Sequence, residues 1–242
     1  MRGTFGEVRV CRAGVVKQPH NKATRAFAKH EWKALRALQG SQYTPTPKSF
    51  DVATGSITMS RALGIACDRL VLQRKICFNI EHLGQLQSAI YYLWNKGWVH
   101  CDIKPANIVF DPEANRFVLV DFGLAVQHGS RVVSNCVYSE RYRAPELCLC
   151  ERTVFACSTM DVWAMGIAFC ELHLKEFAIT LRPSSRMHAL RWVDAALALV
   201  RTDRLREHLR DMLQVMEPRA RRLSHSAIHA LMSSSTSRAK TS

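Results

Sequence analysis

The sequence predicts an α+β fold of two lobes, a small strand-rich lobe followed by a larger helical one. Three observations carry this. Short β-type segments separated by turn residues fill the stretch up to Met59. Helical spacing of apolar residues dominates from Leu70 onward. The chain has 242 residues, 48% of them hydrophobic, enough for one large domain or two small lobes with a sizeable core. The expected division is residues 1–62 and 63–231, with a Ser-, Thr-, Arg- and Lys-rich tail over 232–242 that is expected to be disordered.

The elements follow in order. Glu7 to Arg12 and Gly14 to Lys17 are brief strands around Ala13-Gly14, which suggests a hairpin. Thr24 is placed to cap a helix that runs through Gln39 and stops at Gly40. Tyr43 to Pro47 breaks the chain, and Lys48 to Met59 can form two strands around Thr54-Gly55. Leu83, Leu86, Ile90 and Leu93 recur at helical spacing before Gly97. Ile108 to Phe110 and Phe117 to Val120 flank an Asp-Pro-Glu-Ala-Asn turn and form a second hairpin. Asp161 to Leu172 is apolar nearly all round, which implies a buried helix.

Composition excludes some classes. The longest clear apolar run, Val162 to Cys170, is far short of the roughly 18 residues that a membrane span needs. No basic-then-apolar leader follows Met1. The nine cysteines lack paired CxxC spacing, so reduced, mostly buried thiols in the cytoplasm or nucleus are expected. The formal charge of +14 favours acidic partners. No arginine–aromatic ladder or zinc-finger spacing points to nucleic acid.

The segment richest in chemistry is His100-Cys101-Asp102-Ile103-Lys104-Pro105-Ala106-Asn107, a loop between a helix and a hairpin. Asp102 can accept a proton from an attacking hydroxyl. Lys104 can neutralise charge on a phosphoryl group in transit, and the Asn107 oxygen suits a hard cation. Asp121-Phe122-Gly123 follows the hairpin's second strand, 19 residues after Asp102. A carboxylate at that strand end can bind Mg²⁺, and Gly123 permits an unusual backbone turn.

In this order the segments resemble the signature set of eukaryotic-type serine/threonine protein kinases. Ala144-Pro145-Glu146 and Asp161-Val162-Trp163 match two further family motifs, and Arg221 resembles the late arginine that pairs with the glutamate of the former. The resemblance covers Gly3 to Leu231 and implies a bilobal protein-kinase-like fold with a small β-rich N-lobe, whose start is cut short, and a larger α-helical C-lobe. It implies ATP and Mg²⁺ as cofactors and protein Ser/Thr hydroxyls as acceptors. Asp102 and Lys104 would be catalytic, with Asn107 and Asp121 on the metal. Gly3, Gly6 and Val8 resemble the end of a glycine-rich loop over the ATP phosphates, with Met1 where the first glycine would stand. A loop without its leading strand is expected to hold Mg-ATP weakly.

Lys17, Lys22 and Lys29 compete for the ATP-binding lysine. Lys17 is chosen because Val15-Val16-Lys17 is strand-like and resembles the family's VAIK. Its partner is expected to be Glu31, which shares a helix face with Phe27, Leu35 and Leu38 and would be a costly unpaired charge there. Cys101 stands where the family has an arginine that commonly engages a phosphorylated activation loop. Phosphorylation over Gln127 to Tyr138, at Ser130, Ser134 or Tyr138, is therefore expected to be dispensable. Lys104-Pro105 and Ser139 fit Ser/Thr rather than Tyr specificity. The compact hairpin and the His-Cys-Asp variant are also similar to herpesvirus-encoded Ser/Thr kinases. Two rivals use related residues: a non-catalytic pseudokinase, and a small-molecule kinase of the aminoglycoside type, which generally lacks the later motifs.

Overall fold

The computed structural model describes residues 6–12, 14–74, 76–149, 152–176 and 185–221. Strands β1 (Gly6–Cys11) and β2 (Gly14–Pro19) form the first hairpin. Helix α1 (Arg25–Ala37) follows, then β3 (Pro47–Phe50) and β4 (Ile57–Met59). These strands make one antiparallel sheet in the order β1-β2-β4-β3. Asp51 shapes the β3–β4 turn, its carboxylate accepting from the Ala53 N–H and the Thr54 hydroxyl, and Gly55 takes the left-handed φ of 77°.

Helix α1 starts where expected, but not for the expected reason. The Thr24 hydroxyl does not cap it. That hydroxyl donates to the Asn21 carbonyl and accepts from the Asn21 N–H, so a local turn consumes the group that would have met the helix. The buried face of α1 is Ala28, Glu31, Ala34 and Leu35, with Leu38 beyond its end, while Phe27 is only half-buried.

The helical lobe opens with β5 (Ile65–Ala66), α2 (Cys67–Gln73) and α3 (Ile80–Asn95). Asn79 caps α3 by accepting from the Glu81 and His82 N–H groups, and the His82 ring accepts in return from the Asn79 N–H. Leu83, Leu86, Ile90 and Leu93 are all buried, as their spacing predicts. Truncating one such leucine to alanine costs about 2–5 kcal/mol. Strand β6 (Trp98–Val99) leads through the 100–107 loop, with a 3₁₀ turn at Pro105–Asn107, into the hairpin of β7 (Ile108–Asp111) and β8 (Arg116–Leu119).

Short pieces follow: β9 (Val126–Gln127), β10 (Arg131–Val133), a 3₁₀ turn at Glu140–Tyr142, α4 (Pro145–Cys148) and β11 (Thr153–Phe155). β5 extends the β7–β8 hairpin, β6 pairs with β9, and β10 with β11, all antiparallel. Helix α5 (Ser158–Leu174) runs through the middle, buried without a break from Met160 to Leu172. Helices α6 (Arg186–Ala198) and α7 (Asp203–Met212) and a last 3₁₀ turn (Pro218–Ala220) complete the lobe. The two lobes are joined by a hydrogen bond from the Leu119 N–H to the Tyr43 carbonyl at 2.8 Å and by the Tyr92 hydroxyl on the Leu38 carbonyl at 3.3 Å.

The expected tail over 232–242 and Gly3 lie outside the described residues. No helix among the described residues is long and apolar enough to cross a membrane. The eight cysteines among them are free thiols.

Candidate active site

The 100–107 loop is held from below by α5. The Asp161 carboxylate is fully buried and accepts from the His100 N–H at 2.7 Å and the Cys101 N–H at 3.1 Å. Burial pushes the Asp161 carboxyl above its ordinary value, against the pull of these donors. Cys101 adopts a left-handed φ of 62°, unusual for a residue with a side chain. Its thiol is buried, and that burial raises its pKa well above the ordinary range, so it is a poor nucleophile. The His100 ring packs on Phe122 at 4.8 Å and lies 3.2 Å from the Val120 carbonyl, tying the loop to the segment that carries Asp121.

Asp102 emerges from this frame with both carboxylate oxygens engaged. Oδ2 accepts from Lys104 Nζ at 2.7 Å and Asn107 Nδ2 at 2.9 Å. Oδ1 accepts from the Ser139 N–H at 3.1 Å and the Ser139 hydroxyl at 2.9 Å. Lys104 also donates to the Ser139 oxygen at 2.9 Å. A carboxylate, an ammonium and a hydroxyl therefore form a closed triangle.

A second cluster lies where the lobes face each other. Lys17 on β2 donates to Asp121 Oδ1 at 2.6 Å and sits 2.7 Å from Glu31 Oε2 on α1. Lys22 and Lys29, the rival lysines, are exposed. Burial alone would lower the Lys17 pKa, but the two carboxylates outweigh it and hold the ammonium above its ordinary value. Burial likewise acts to raise Asp121, yet the Lys17 charge and hydrogen bond bring it below the ordinary carboxylate value. Asp121 has a left-handed φ of 64°, which turns the chain just before Phe122 is buried.

Gly6 opens β1 opposite Pro19, and Val8 stands directly across from Lys17. A Cβ on Gly6 would lie 2.5 Å from the Gln18 carbonyl oxygen, so the close approach of two strands requires glycine there. Asn107 and Asp121 are joined through backbone, the Val120 N–H donating to the Asn107 carbonyl at 2.9 Å. Both Asn107 side-chain bonds to Asp102 use Nδ2, so its oxygen is the end suited to a cation. Among the described residues no group of three His, Cys, Asp or Glu could cage a metal. One carboxylate and one amide oxygen instead fit Mg²⁺, which takes few protein ligands and completes its shell with phosphate and water.

Sequence reasoning missed Tyr138, named there only as a phosphorylatable hydroxyl. It is buried, and its hydroxyl donates to Asp161 at 2.8 Å. Ser134 is buried as well. Glu146 and Arg221 meet at 2.6 Å.

The protein kinase domain family model matches residues 68–234, well over half of the chain. The chain belongs to the protein kinase family. The model of a second group, the phosphotransferase enzyme family, matches residues 7–128. That span holds Lys17, Glu31, Asp102, Asn107 and Asp121 but stops short of Glu146, Asp161 and Arg221, which the protein kinase match includes. Mouse serine/threonine-protein kinase Kist is 33% identical over 38% of this chain and 24% of its own length. Serine/threonine-protein kinase KSP1 of Saccharomyces cerevisiae is 40% identical over 42% of this chain and 11% of its own. Serine/threonine-protein kinase SBK1 of Danio rerio is 33% identical over 54% of this chain and 31% of its own. This kinase-family chain thus spans a third or less of these relatives' length.

Proposed function

We propose that this chain is a serine/threonine protein kinase, transferring the γ-phosphoryl group of ATP to Ser and Thr hydroxyls of protein substrates. The triangle of Asp102, Lys104 and Ser139 carries the proposal. A substrate hydroxyl reaching Asp102 is oriented by the carboxylate and gives up its proton to it as the oxygen–phosphorus bond forms. Lys104 offsets the charge of the phosphoryl group in flight, while the ADP oxygen leaves. Lys17, fixed by Glu31, is the cation for the nucleotide phosphates. Asn107 and Asp121 would hold Mg²⁺, which supplies charge neutralisation across the phosphates. Gly6 and Val8 would border the nucleotide next to Lys17. The net charge of +14 supports acidic substrate segments or partners, and the free thiols support a reducing compartment, the cytoplasm or nucleus.

The test is phosphorylation of a degenerate peptide library by the purified chain with Mg-ATP, beside an Asp102→Asn control. Label on Ser and Thr, lost in the control, is expected. No label on any peptide would overturn the proposal, and label on small alcohols alone would transfer the chain to the small-molecule phosphotransferases.

A further inference from the structure

We infer that Tyr138 is a positioning residue that latches the segment after β10 onto the 100–107 loop, so that Asp102 is held in place without any phosphate group. The link to catalysis rests on the kinase reading above; the latch itself does not. Three hydrogen bonds build it. The Tyr138 hydroxyl donates to Asp161 Oδ1 at 2.8 Å, on the same carboxylate that receives the His100 and Cys101 N–H groups. The Tyr138 N–H donates to the Cys101 carbonyl at 2.7 Å. The next residue repeats the pattern one step along, the Ser139 N–H meeting Asp102 Oδ1 at 3.1 Å. Residues 138 and 139 thus form two rungs against residues 101 and 102, and the tyrosine side chain anchors both to α5.

The fit depends on a small residue at 101. Cys101 is fully buried, and its carbonyl receives the Tyr138 N–H at 2.7 Å. Both residues hold left-handed backbones, φ 62° at Cys101 and 57° at Tyr138. Side-chain-bearing residues keep such conformations only where surrounding contacts impose them, and here the Tyr138 N–H to Cys101 carbonyl bond joins the two. A buried tyrosine hydroxyl needs a partner, and this one finds it on the carboxylate that sets the loop. With the whole residue only 3% exposed, and the hydroxyl engaged by Asp161, Tyr138 is closed to modification. The latch is therefore permanent, unlike a contact made by adding and removing a charged group.

The experiment compares the full chain with Tyr138→Phe, which keeps the ring and removes the donor. Two readouts are taken on phosphatase-treated protein: steady-state kinetics, and hydrogen exchange of peptides covering 98–104, 135–141 and the α1 region. The wild type should keep its rate after phosphatase. In the variant kcat should fall about tenfold or more, the scale of one hydrogen bond to a charged acceptor, with KM for ATP unchanged. Peptides 98–104 and 135–141 should lose protection together while α1 keeps its own. A variant with a lower melting temperature but wild-type kcat, or one whose two peptides stay protected, would overturn the latch. If the wild type transfers no phosphate at all, the kinase reading fails, and the coupled loss of protection still decides for or against the latch.

Discussion

Arg221 and Glu146 lie 75 residues apart in sequence and meet as a two-pronged pair, Nη1 on Oε1 at 2.6 Å and Nη2 on Oε2 at 2.9 Å. The guanidinium also sits 4.9 Å from the Trp163 ring centre and donates through Nε to the Gln214 carbonyl. Its side chain is fully buried. The last described stretch of chain is thereby fastened to α4 and α5 at once. Arg221→Ala should lower stability by about 3–5 kcal/mol, because it strands Glu146 and the carbonyls of Gln214 and Thr159, on both of which the guanidinium donates. Arg221→Lys should recover only part, since an ammonium cannot reproduce the fork. Chemical denaturation of the three proteins checks this.

Lys17 sets a pH window. Its own pKa is raised above 10.5, so its contribution to stability is whole below that value and is lost as pH rises through the folded value. Asp121 is lowered below 3.8, so its contribution is whole above that value and is lost as pH falls through the folded one. The wild-type pair is intact between. In Lys17→Met the buried Glu31 and Asp121 face each other without a cation, and the charged forms repel. Burial already raises Glu31 in the wild type, so its melting temperature also declines as pH rises above the ordinary carboxylate value, and the decline from pH 4 toward pH 7 should be steeper in the variant. A variant profile no steeper than the wild type's would contradict the pairing.

Asp102→Asn should reduce the turnover of phosphoryl transfer by about 10²–10⁴-fold, the usual worth of a general base. The amide keeps the shape but turns its NH₂ toward groups that donate to Asp102, so the melting temperature should also fall while the protein stays folded. Ser139→Ala removes one donor to Asp102 and one acceptor for Lys104. It should lower kcat about tenfold, with recovery in Ser139→Thr. Steady-state kinetics with a peptide acceptor checks both.

Asp121→Ala should abolish Mg²⁺-dependent transfer and leave the protein folded, because Glu31 remains to balance Lys17. A metal titration followed by initial rate is the measurement. Full activity in this variant would remove Asp121 from the metal site.

Much of the fold was legible because its signals are local. The β1–β2 hairpin, the α3 stripe and the all-round apolar α5 each announce themselves within a few turns of chain. The Lys17–Glu31 pair was legible through a conflict, a carboxylate on an otherwise apolar helix face that needs a partner. Tyr138 was not, because its partner Asp161 lies 23 residues on and no periodicity connects them. The paired strands β6, β9, β10 and β11 were missed for a related reason. They are two or three residues long, too short to show alternation, and exist only because tertiary contacts align them. At Thr24 the residue type was right for a cap, but Asn21 three positions earlier won its hydroxyl.

Gly6→Ala should test the close approach of β1 to β2. The added methyl meets backbone at 2.5 Å, not a side chain that can turn away. Strand β1 must shift, costing about 1–3 kcal/mol and moving Val8 from its place across from Lys17. Nucleotide affinity by calorimetry should weaken in step with stability. A variant as stable as the wild type would show that the strands separate freely.

Lys17 and Asp121 are 104 positions apart, so their contact closes a very long loop during folding. The entropy of that closure grows slowly with length but must be met before the contact gives anything back. The Lys17–Asp121 contact therefore needs β2 and the turn after β8 to be brought together across that loop. A nascent chain that has not yet emerged as far as residue 121, the midpoint of the sequence, lacks Asp121 as a partner for the Lys17 ammonium. On the kinase reading proposed above, nucleotide binding by a partly folded chain would mark that this long loop has closed.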